Sequence, residues 1–578
     1  MDAKTGRGAG QAVLPVPQLT APGTLESKQL LPSFLYLAAA AEFPAGSLGL
    51  PWNPLLGLAV GELARTHGAK VPARLVSSAK SWLCHPTVDR RAPILPWGAP
   101  ADVTKVSPVD ASAKYLEHLR HAWDRELGQG APLTEQEVVV TVPASFDAAA
   151  RDLTLEAAKA AGLPRVTLLE EPQAALYAWL EAMGDGWRKQ LQPGDVLLVV
   201  DVGGGTSDFS LIGVSQAGGE LQLERLAVGD HILLGGDNMD LALAFTLHEK
   251  LKAGGKSLDQ WQLTALTAGC RVAKEQLYQH DTLDKVTVTV PGRGSSLIGG
   301  TIKTELLRDE LAKVLTEGFF PKCRVDEAPA QQRRSGLAQV GLPYAQDAAI
   351  TRHLAAFLTR QAGSLALKTA FARPTAVLFN GGVFKASSLR ARVLETLNGW
   401  LATDGAPPAR ELPGADLDLA VARGAAYYGW VKAGHGIRIR GGTARSYYVG
   451  VESSMLAVPG FTPPVKALCV APFGMEEGTQ ADIPPQEFGL VVGEHTRFRF
   501  FSSSTRREDK VGDFLEDAER AGELEELPPI ETALEGSGGA LVPVNLQAAV
   551  TELGALELRC LERGGKGRWK LELNVRQE

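Results

Sequence analysis

The run Asp201-Val202-Gly203-Gly204-Gly205-Thr206 is the segment best suited to chemistry. It follows Asp195-Val-Leu-Leu-Val-Val200, an apolar run that reads as a strand. Consecutive glycines at a strand end let backbone N–H groups converge on one concavity, and such a concavity binds phosphate. Thr206 adds a hydroxyl, and Asp201 at the strand end could hold a magnesium ion through water. Taken alone, three glycines fit an ordinary hairpin equally well. Gly6-Arg7-Gly8-Ala9-Gly10 follows no strand and reads as a tail. A second turn of the same kind, Asn380-Gly381-Gly382, follows Thr375-Ala-Val-Leu-Phe379 and precedes a helix around Leu389 to Leu397. A strand and a glycine turn in each half predict a duplicated fold with a cleft between two lobes.

The elements that must carry these turns are legible nearby. Glu137-Val-Val-Val-Thr-Val142 is a β-branched run that Pro143 ends. Asp147 can cap a helix through Leu153 and Ala157 to Gly162. The strand Val166-Thr-Leu-Leu169 follows, then Glu170-Glu171-Pro172 and a helix from Gln173 to Met183. From about Leu31 to Tyr428 strands and helices alternate, which predicts α/β architecture. Residues 1–30, rich in Gly, Pro and Ala, read as an extended lead-in.

After Gly429 the pattern changes. Residues 434–445 read as a linker, with Ile437 and Ile439 its apolar members. Beyond it, strand-like runs follow one another: Ser446 to Val451, Ala467 to Val470, Phe488 to Val492, Thr496 to Phe501, Leu541 to Val550, Ala555 to Leu561 and Arg568 to Val575. Several alternate, as in Arg497-Phe498-Arg499-Phe500, so residues 446–578 are expected to form a β-sandwich. The acidic stretch Asp513 to Glu526 reads as a solvated insertion.

Bulk properties narrow the function. The 578 residues suffice for more than one domain, and a net charge of -7 argues against a nucleic-acid partner. The five cysteines are isolated, which fits a reducing compartment and offers neither a disulfide frame nor a zinc site. The longest apolar run, Phe34 to Ala41, is too short to span a membrane. The expectation is a cytoplasmic protein with no membrane partner.

Seven segments, in order, resemble the heat-shock-protein-70 family of DnaK-like chaperones. Val140 to Phe146 resembles TVPAYF, Glu170 to Ala175 resembles NEPTAA, and Asp201 to Ser210 resembles DLGGGTFDVS. Leu234 to Asp240 resembles LGGEDFD, and Cys270 to Leu277 resembles CERAKRTL. Asn380-Gly381-Gly382 stands where the family has VGG, and Asp418 to Ala426 resembles DEAVAYGAA. The resemblance implies an actin-like, ribonuclease-H-like duplicated ATPase domain over residues 31–433 that binds ATP or ADP with magnesium. It implies that Lys80 orients the attacking water, that Glu171 and Asp201 hold magnesium through water, and that Pro143 is a conformational switch. Gly203, Gly204, Gly205 and Thr206 would cradle phosphate, with Thr206 grouped among the catalytic residues. Gly235 and Gly236 would approach the phosphates, Lys274 the ribose, and Gly381, Gly382 and Asp418 the adenosine. The partners implied are an unfolded or specific client protein, and a co-chaperone or nucleotide exchange factor.

The chain also departs from the family pattern. It lacks the initial DLGTT turn, for which a truncated start is the expected reason, and the chain closes without the family's helical lid. Glu275 and Lys385 stand where the family has arginines beside the base, and loss of a planar guanidinium weakens stacking. The reading is an ATP-dependent, lidless chaperone-like protein that hydrolyses ATP to ADP and phosphate. The alternative is a nucleotide-binding adaptor with little or no turnover that binds one dedicated partner.

Overall fold

A computed structural model describes residues 11–574 apart from 86, 218–219, 231, 293–300, 331–340, 365–368, 415, 438, 440–442, 444, 453–464, 477, 485–487, 504–505, 507, 517, 519–523 and 552–554. The chain divides into two compact units, residues 1–212 with 228–437, and residues 213–227 with 438–578. The first mixes helices and strands and the second is rich in strands. Among the described residues no helix is long and apolar enough to cross a membrane.

The strand Val196–Val202 organises the first unit. It is apolar and almost wholly buried, as a strand covered on both faces must be. Its sheet sets Val196–Val202 between Ser207–Ala217 and Ala376–Asn380, with Arg410–Glu411 beyond the latter. Val196–Val202 and Ala376–Asn380 pair in parallel, with Asp201 opposite Asn380. The two glycine turns are therefore neighbours at one end of one sheet, where the sequence pattern suggested one in each half. Hydrophobic period identifies strands but not their partners, and a parallel pair needs only a crossover of a dozen or more residues between its members.

A second parallel pair, Val138–Val142 with Val166–Glu170, sets Val142 opposite Glu170. The helix between them, Ala148–Ala160, begins where the Asp147 carboxylate accepts the Ala150 N–H at 2.7 Å. It stops before Gly162, whose φ of +84° suits a glycine. The helix Glu171–Met183 starts directly from the second strand and is buried from Pro172 to Leu180. Helix Ala420–Lys432 crosses it, with Gly424 against the backbone of Ala174.

The expected lead-in is partly ordered. Val16–Ala21 and Thr24–Lys28 form an antiparallel hairpin around Gly23, whose φ is +73°. Gln18 is buried in it, donating to the Leu30 carbonyl at 2.8 Å and accepting the Glu62 N–H at 3.0 Å. A Gly- and Pro-rich stretch reads as a tail locally, but this one gains its order from that distant hydrogen bonding. Residues 1–10 lie outside the described residues.

Among the described residues the second unit pairs His495–Phe498 with Ile530–Ala533 and holds two larger antiparallel sheets. One runs Phe514–Leu515, Val465–Ala471, Ser446–Glu452, Phe500–Ser503, Glu525–Glu526. The other runs Thr479–Asp482, Ala540–Val550, Ala555–Glu562, Arg568–Asn574, with Phe488–Val492 also paired to Ala540–Val550. They share a core to which Tyr447, Leu468 and Val470 contribute from the first sheet and Leu546, Ala548 and Leu556 from the second. The acidic stretch is not simply solvated: its two ends form the edge strands of the first sheet. Leu515, Ala518 and Leu524 within it pack with Tyr448, Cys469 and Phe501, and the Ala518 N–H reaches the Val465 carbonyl at 2.8 Å. Apolar residues scattered in a charged run are enough to bury one side of it. Of the linker, residues 438, 440–442 and 444 lie outside the described residues; Ile439 is buried.

One polar group in this unit gives a measurable pH dependence. The Tyr448 hydroxyl donates to Asp509 at 2.7 Å, and Arg506 grips the same carboxylate at 2.8 and 2.9 Å. Burial opposes the charge, but the Arg506 and Tyr448 hydrogen bonds prevail and hold Asp509 below the usual carboxylate range. The contribution is thus complete above about pH 4 and is lost as acid titrates the folded carboxylate. Asp509→Asn should destabilise the unit by about 1–3 kcal/mol at neutral pH. In urea titrations followed from pH 7 to pH 3, the gap between wild type and variant should close below about pH 4. A gap that stays constant over that range refutes the assignment.

Candidate functional site

Lys80 lies on the short helix Ala79–Trp82, entered through Ser78 at a left-handed φ of +55°. Its ammonium pairs with Glu171, the first residue of the helix Glu171–Met183. Half of the Lys80 side chain is exposed, and its charge lies within reach of Glu171, Asp208 and Asp201. Burial disfavours the ammonium, but Glu171, Asp208 and Asp201 outweigh that and hold it above the usual lysine range. One cation thus faces three carboxylates drawn from two different strand systems.

Asp201 is buried at the end of its strand, and Asn380 across the pairing donates to it at 2.7 Å. Desolvation, then the Glu171 charge and that of Asp208, push the Asp201 carboxyl up to about 7 against the Asn380 hydrogen bond and Lys80. Asp208, also buried, accepts a hydrogen bond from the Ser145 hydroxyl at 2.7 Å, joining the Pro143 turn to the glycine strand. The sequence reading gave Asp208, Ser145 and Asn380 no role. Their signal was present, since each lies inside a family-like segment, yet only the fold brings them together.

The glycines divide by physical role. The Gly203 N–H donates to the Thr206 carbonyl at 2.9 Å and closes the turn. Among the described residues nothing accepts the N–H groups of Gly204, Gly205 and Thr206. A Cβ on Gly204 would come no closer than 3.8 Å to protein, at Asp237, and one on Gly205 no closer than 3.6 Å, at Ser81. The space beside this turn is therefore open, and its three N–H groups are left without protein acceptors. Gly235 differs: a Cβ there would stand 2.7 Å from the carbonyl oxygens of Gly203 and Gly204. The N–H groups of Gly236 and Asp237 donate to those same carbonyls at 3.0 and 2.7 Å. This start of helix Gly236–Ala253 braces the glycine turn from behind. Gly381, at φ +89°, would drive a Cβ into the Val202 carbonyl and to 2.7 Å from Asp201. Gly382 has open space around it.

The residues expected beside ribose and base are partly engaged with one another. Lys274 is 2.6 Å from the buried carboxylate of Asp240 and 3.3 Å from the Gly236 carbonyl. Arg271, one turn earlier, forks between Asp240 at 2.7 Å and Asp237. Lys274 thus ties helix Gln260–Gln279 to the glycine-led helix. Lys385 and Asp418 form an ion pair of 2.6 Å, and Glu275 is exposed. Pro143 is buried at the end of its strand, its carbonyl accepting the Phe146 N–H at 3.1 Å.

The donor set suits a hydrated hard cation held with phosphates. Among the described residues no three His, Cys, Asp or Glu side chains converge on one ion. Magnesium commonly keeps several waters and takes its remaining ligands from phosphate and one or two carboxylates. The crowding that pushes Asp201 to about 7 and the unpartnered buried Oδ1 of Asn380 are what such a cation and its water would relieve.

A family model described as Hsp70 protein matches residues 59–325. The chaperone protein HscA of Salmonella paratyphi C is 34% identical over 268 residues, covering 43% of this chain and 41% of that protein. The chaperone protein DnaK of Stenotrophomonas maltophilia is 30% identical over 249 residues, covering 42% and 37%. An HscA homolog of Pseudoalteromonas atlantica is 33% identical over 278 residues, covering 46% and 41%. Over residues 59–325 the chain is thus similar to the Hsp70 family and to chaperones of that kind. It spans about two-fifths of the length of the curated relatives that it matches.

Proposed function

We propose that the first unit is an actin-like, two-lobed ATPase domain and that the second is a β-sandwich that binds a client protein. ATP or ADP occupies the space above Gly203 to Thr206, with its phosphates on the N–H groups of Gly204, Gly205 and Thr206. Magnesium, when bound, would neutralise phosphate charge there, held through water by Asp201 and Glu171. Lys80 orients the attacking water and stabilises charge in the transition state. Asn380 and Ser145 fix the carboxylates of Asp201 and Asp208. Gly235 and Gly381 permit the turns to pack, and Pro143 sits where a shift between nucleotide states could be relayed. Gly236, Gly382, Lys274 and Asp418 border the ribose and base side. Clients are unfolded or specific polypeptides, a co-chaperone or exchange factor acts on the first unit, and the setting is cytoplasmic. Similarity over part of the chain to relatives named chaperones supports the client-binding part of the reading.

The observation that carries the reading is the set of three unpartnered N–H groups beneath open space, flanked by Lys80 and three carboxylates. Gly204→Val tests it, because the added side chain meets little protein but fills the phosphate space. In calorimetric titration with magnesium and ATP, wild type should bind and Gly204→Val should lose affinity by at least about tenfold with its urea midpoint unchanged. Equal affinity in the two proteins, or none in wild type, refutes the nucleotide reading.

A further inference from the structure

The described segment Gly341–Ala345 crosses between the two walls of the candidate site. At one end the Gly341 carbonyl accepts from His85 Nε2 at 2.7 Å. His85 Nδ1 accepts the Thr87 N–H at 3.2 Å, so the ring proton is on Nε2 and points at Gly341. The His85 ring stacks on Trp82, with centroids 5.1 Å apart and planes 9° from parallel, and Trp82 shares the helix Ala79–Trp82 with Lys80. Leu342 packs on the apolar cluster of Leu35, Val60, Val76 and Trp82 beneath that helix. At the other end the Ala345 N–H donates to the Leu233 carbonyl at 3.2 Å, two residues before Gly235. Burial raises the Tyr344 phenol above the usual range, and the charge of nearby Asp237 adds to it. The base is anchored too: the Asp347 carboxylate accepts the N–H groups of Ala330 at 2.7 Å and Ala349 at 2.8 Å.

One short run thus hydrogen-bonds to the lysine wall and to the glycine wall. Each attachment is modest, and none lies in the phosphate space itself. Such a tie adds little to the affinity for a ligand, but separation of the walls must break it.

We propose that Gly341–Ala345 is a strap holding the Lys80 helix against the glycine cradle, and that it governs how fast a nucleoside di- or triphosphate enters and leaves the cleft. His85 and Leu342 are its positioning residues. The inference rests on the nucleotide reading given above.

The test uses the full chain and a fluorescent N-methylanthraniloyl derivative of ADP with magnesium, followed by stopped flow. Leu342 is only partly buried, so Leu342→Ser should fold. It should speed release on the order of tenfold and speed association in parallel, leaving Kd changed less than either rate. His85→Ala should act in the same direction and Leu342→Met should restore wild-type rates. A purely structural defect would lower the fraction of active protein without altering the rates of the rest. Release within twofold of wild type in both Leu342→Ser and His85→Ala overturns the strap and leaves nucleotide binding standing. If wild type shows no bound fluorescence, the nucleotide reading falls and the strap with it.

Discussion

Gly424→Ala should cost the first unit about 3 kcal/mol or more, the upper part of the range for overpacked cores. A Cβ at this position overlaps the carbonyl group of Ala174, and its next neighbour is the Ala174 Cα. Both obstacles are main chain inside a helix, so no rotamer change relieves the clash. The helices Ala420–Lys432 and Glu171–Met183 must move apart, and the buried run Pro172 to Leu180 loses its close packing. Helix propensity opposes this by only about 1 kcal/mol in favour of alanine. Gly429 on the same helix is the internal control. A Cβ there first meets protein at 4.0 Å, at Val139, so Gly429→Ala should be neutral or stabilise by up to about 1 kcal/mol. The Gly424→Ala urea midpoint should therefore fall while that of Gly429→Ala holds or rises. Because Glu171 begins the displaced helix, Gly424→Ala should also weaken magnesium-dependent ATP binding, and Gly429→Ala should not. Equal midpoints for the two variants would show that the helix crossing is looser than the structure describes.

Lys80→Ala carries the largest expected effect on chemistry. Under the proposed mechanism its ammonium is aimed at the reacting phosphate, and losing one such preorganised charge typically costs on the order of 10²–10³ in turnover. The loss should appear in single-turnover hydrolysis of ATP while nucleotide binding persists, since the phosphate donors at Gly204, Gly205 and Thr206 are untouched. Removing the cation also leaves Glu171, Asp201 and Asp208 facing one another, so Asp201 should become harder to ionise than it already is. Asp201→Asn supplies the complementary measurement: it removes a charge from the same cluster and should abolish the dependence on magnesium. Equal turnover by wild type, Lys80→Ala and Asp201→Asn would end the catalytic assignment of both residues.

Much of the local architecture was readable from the sequence. The β-branched runs before Pro143 and Asp201, the Asp147 cap, the stop at Gly162 and most strands of the second unit appear within a residue or two of their expected places. Each rests on short-range physics: side-chain period, a capping carboxylate and a glycine at positive φ act within a few residues of one another. The glycine-rich segments around Asp201 and Gly235 were likewise recognisable as a turn at a strand end and a turn before a helix.

What remained hidden depends on groups far apart in the chain. No local pattern states that Asn380 stands opposite Asp201, that Ser145 reaches Asp208, or that Leu342 rests beneath the Lys80 helix. Strand order and register follow from which apolar faces are buried together, a property of the whole unit. The glycines show the limit most plainly. Gly204 faces open space, Gly235 allows two backbones to touch, and Gly381 adopts a φ of +89° against the Val202 carbonyl. The sequence by itself determined the family resemblance and the kind of turn, because those depend on residue type and spacing. Only the tertiary structure decided which glycine borders open space and which lets backbones touch, because that depends on what occupies the space a side chain would have filled.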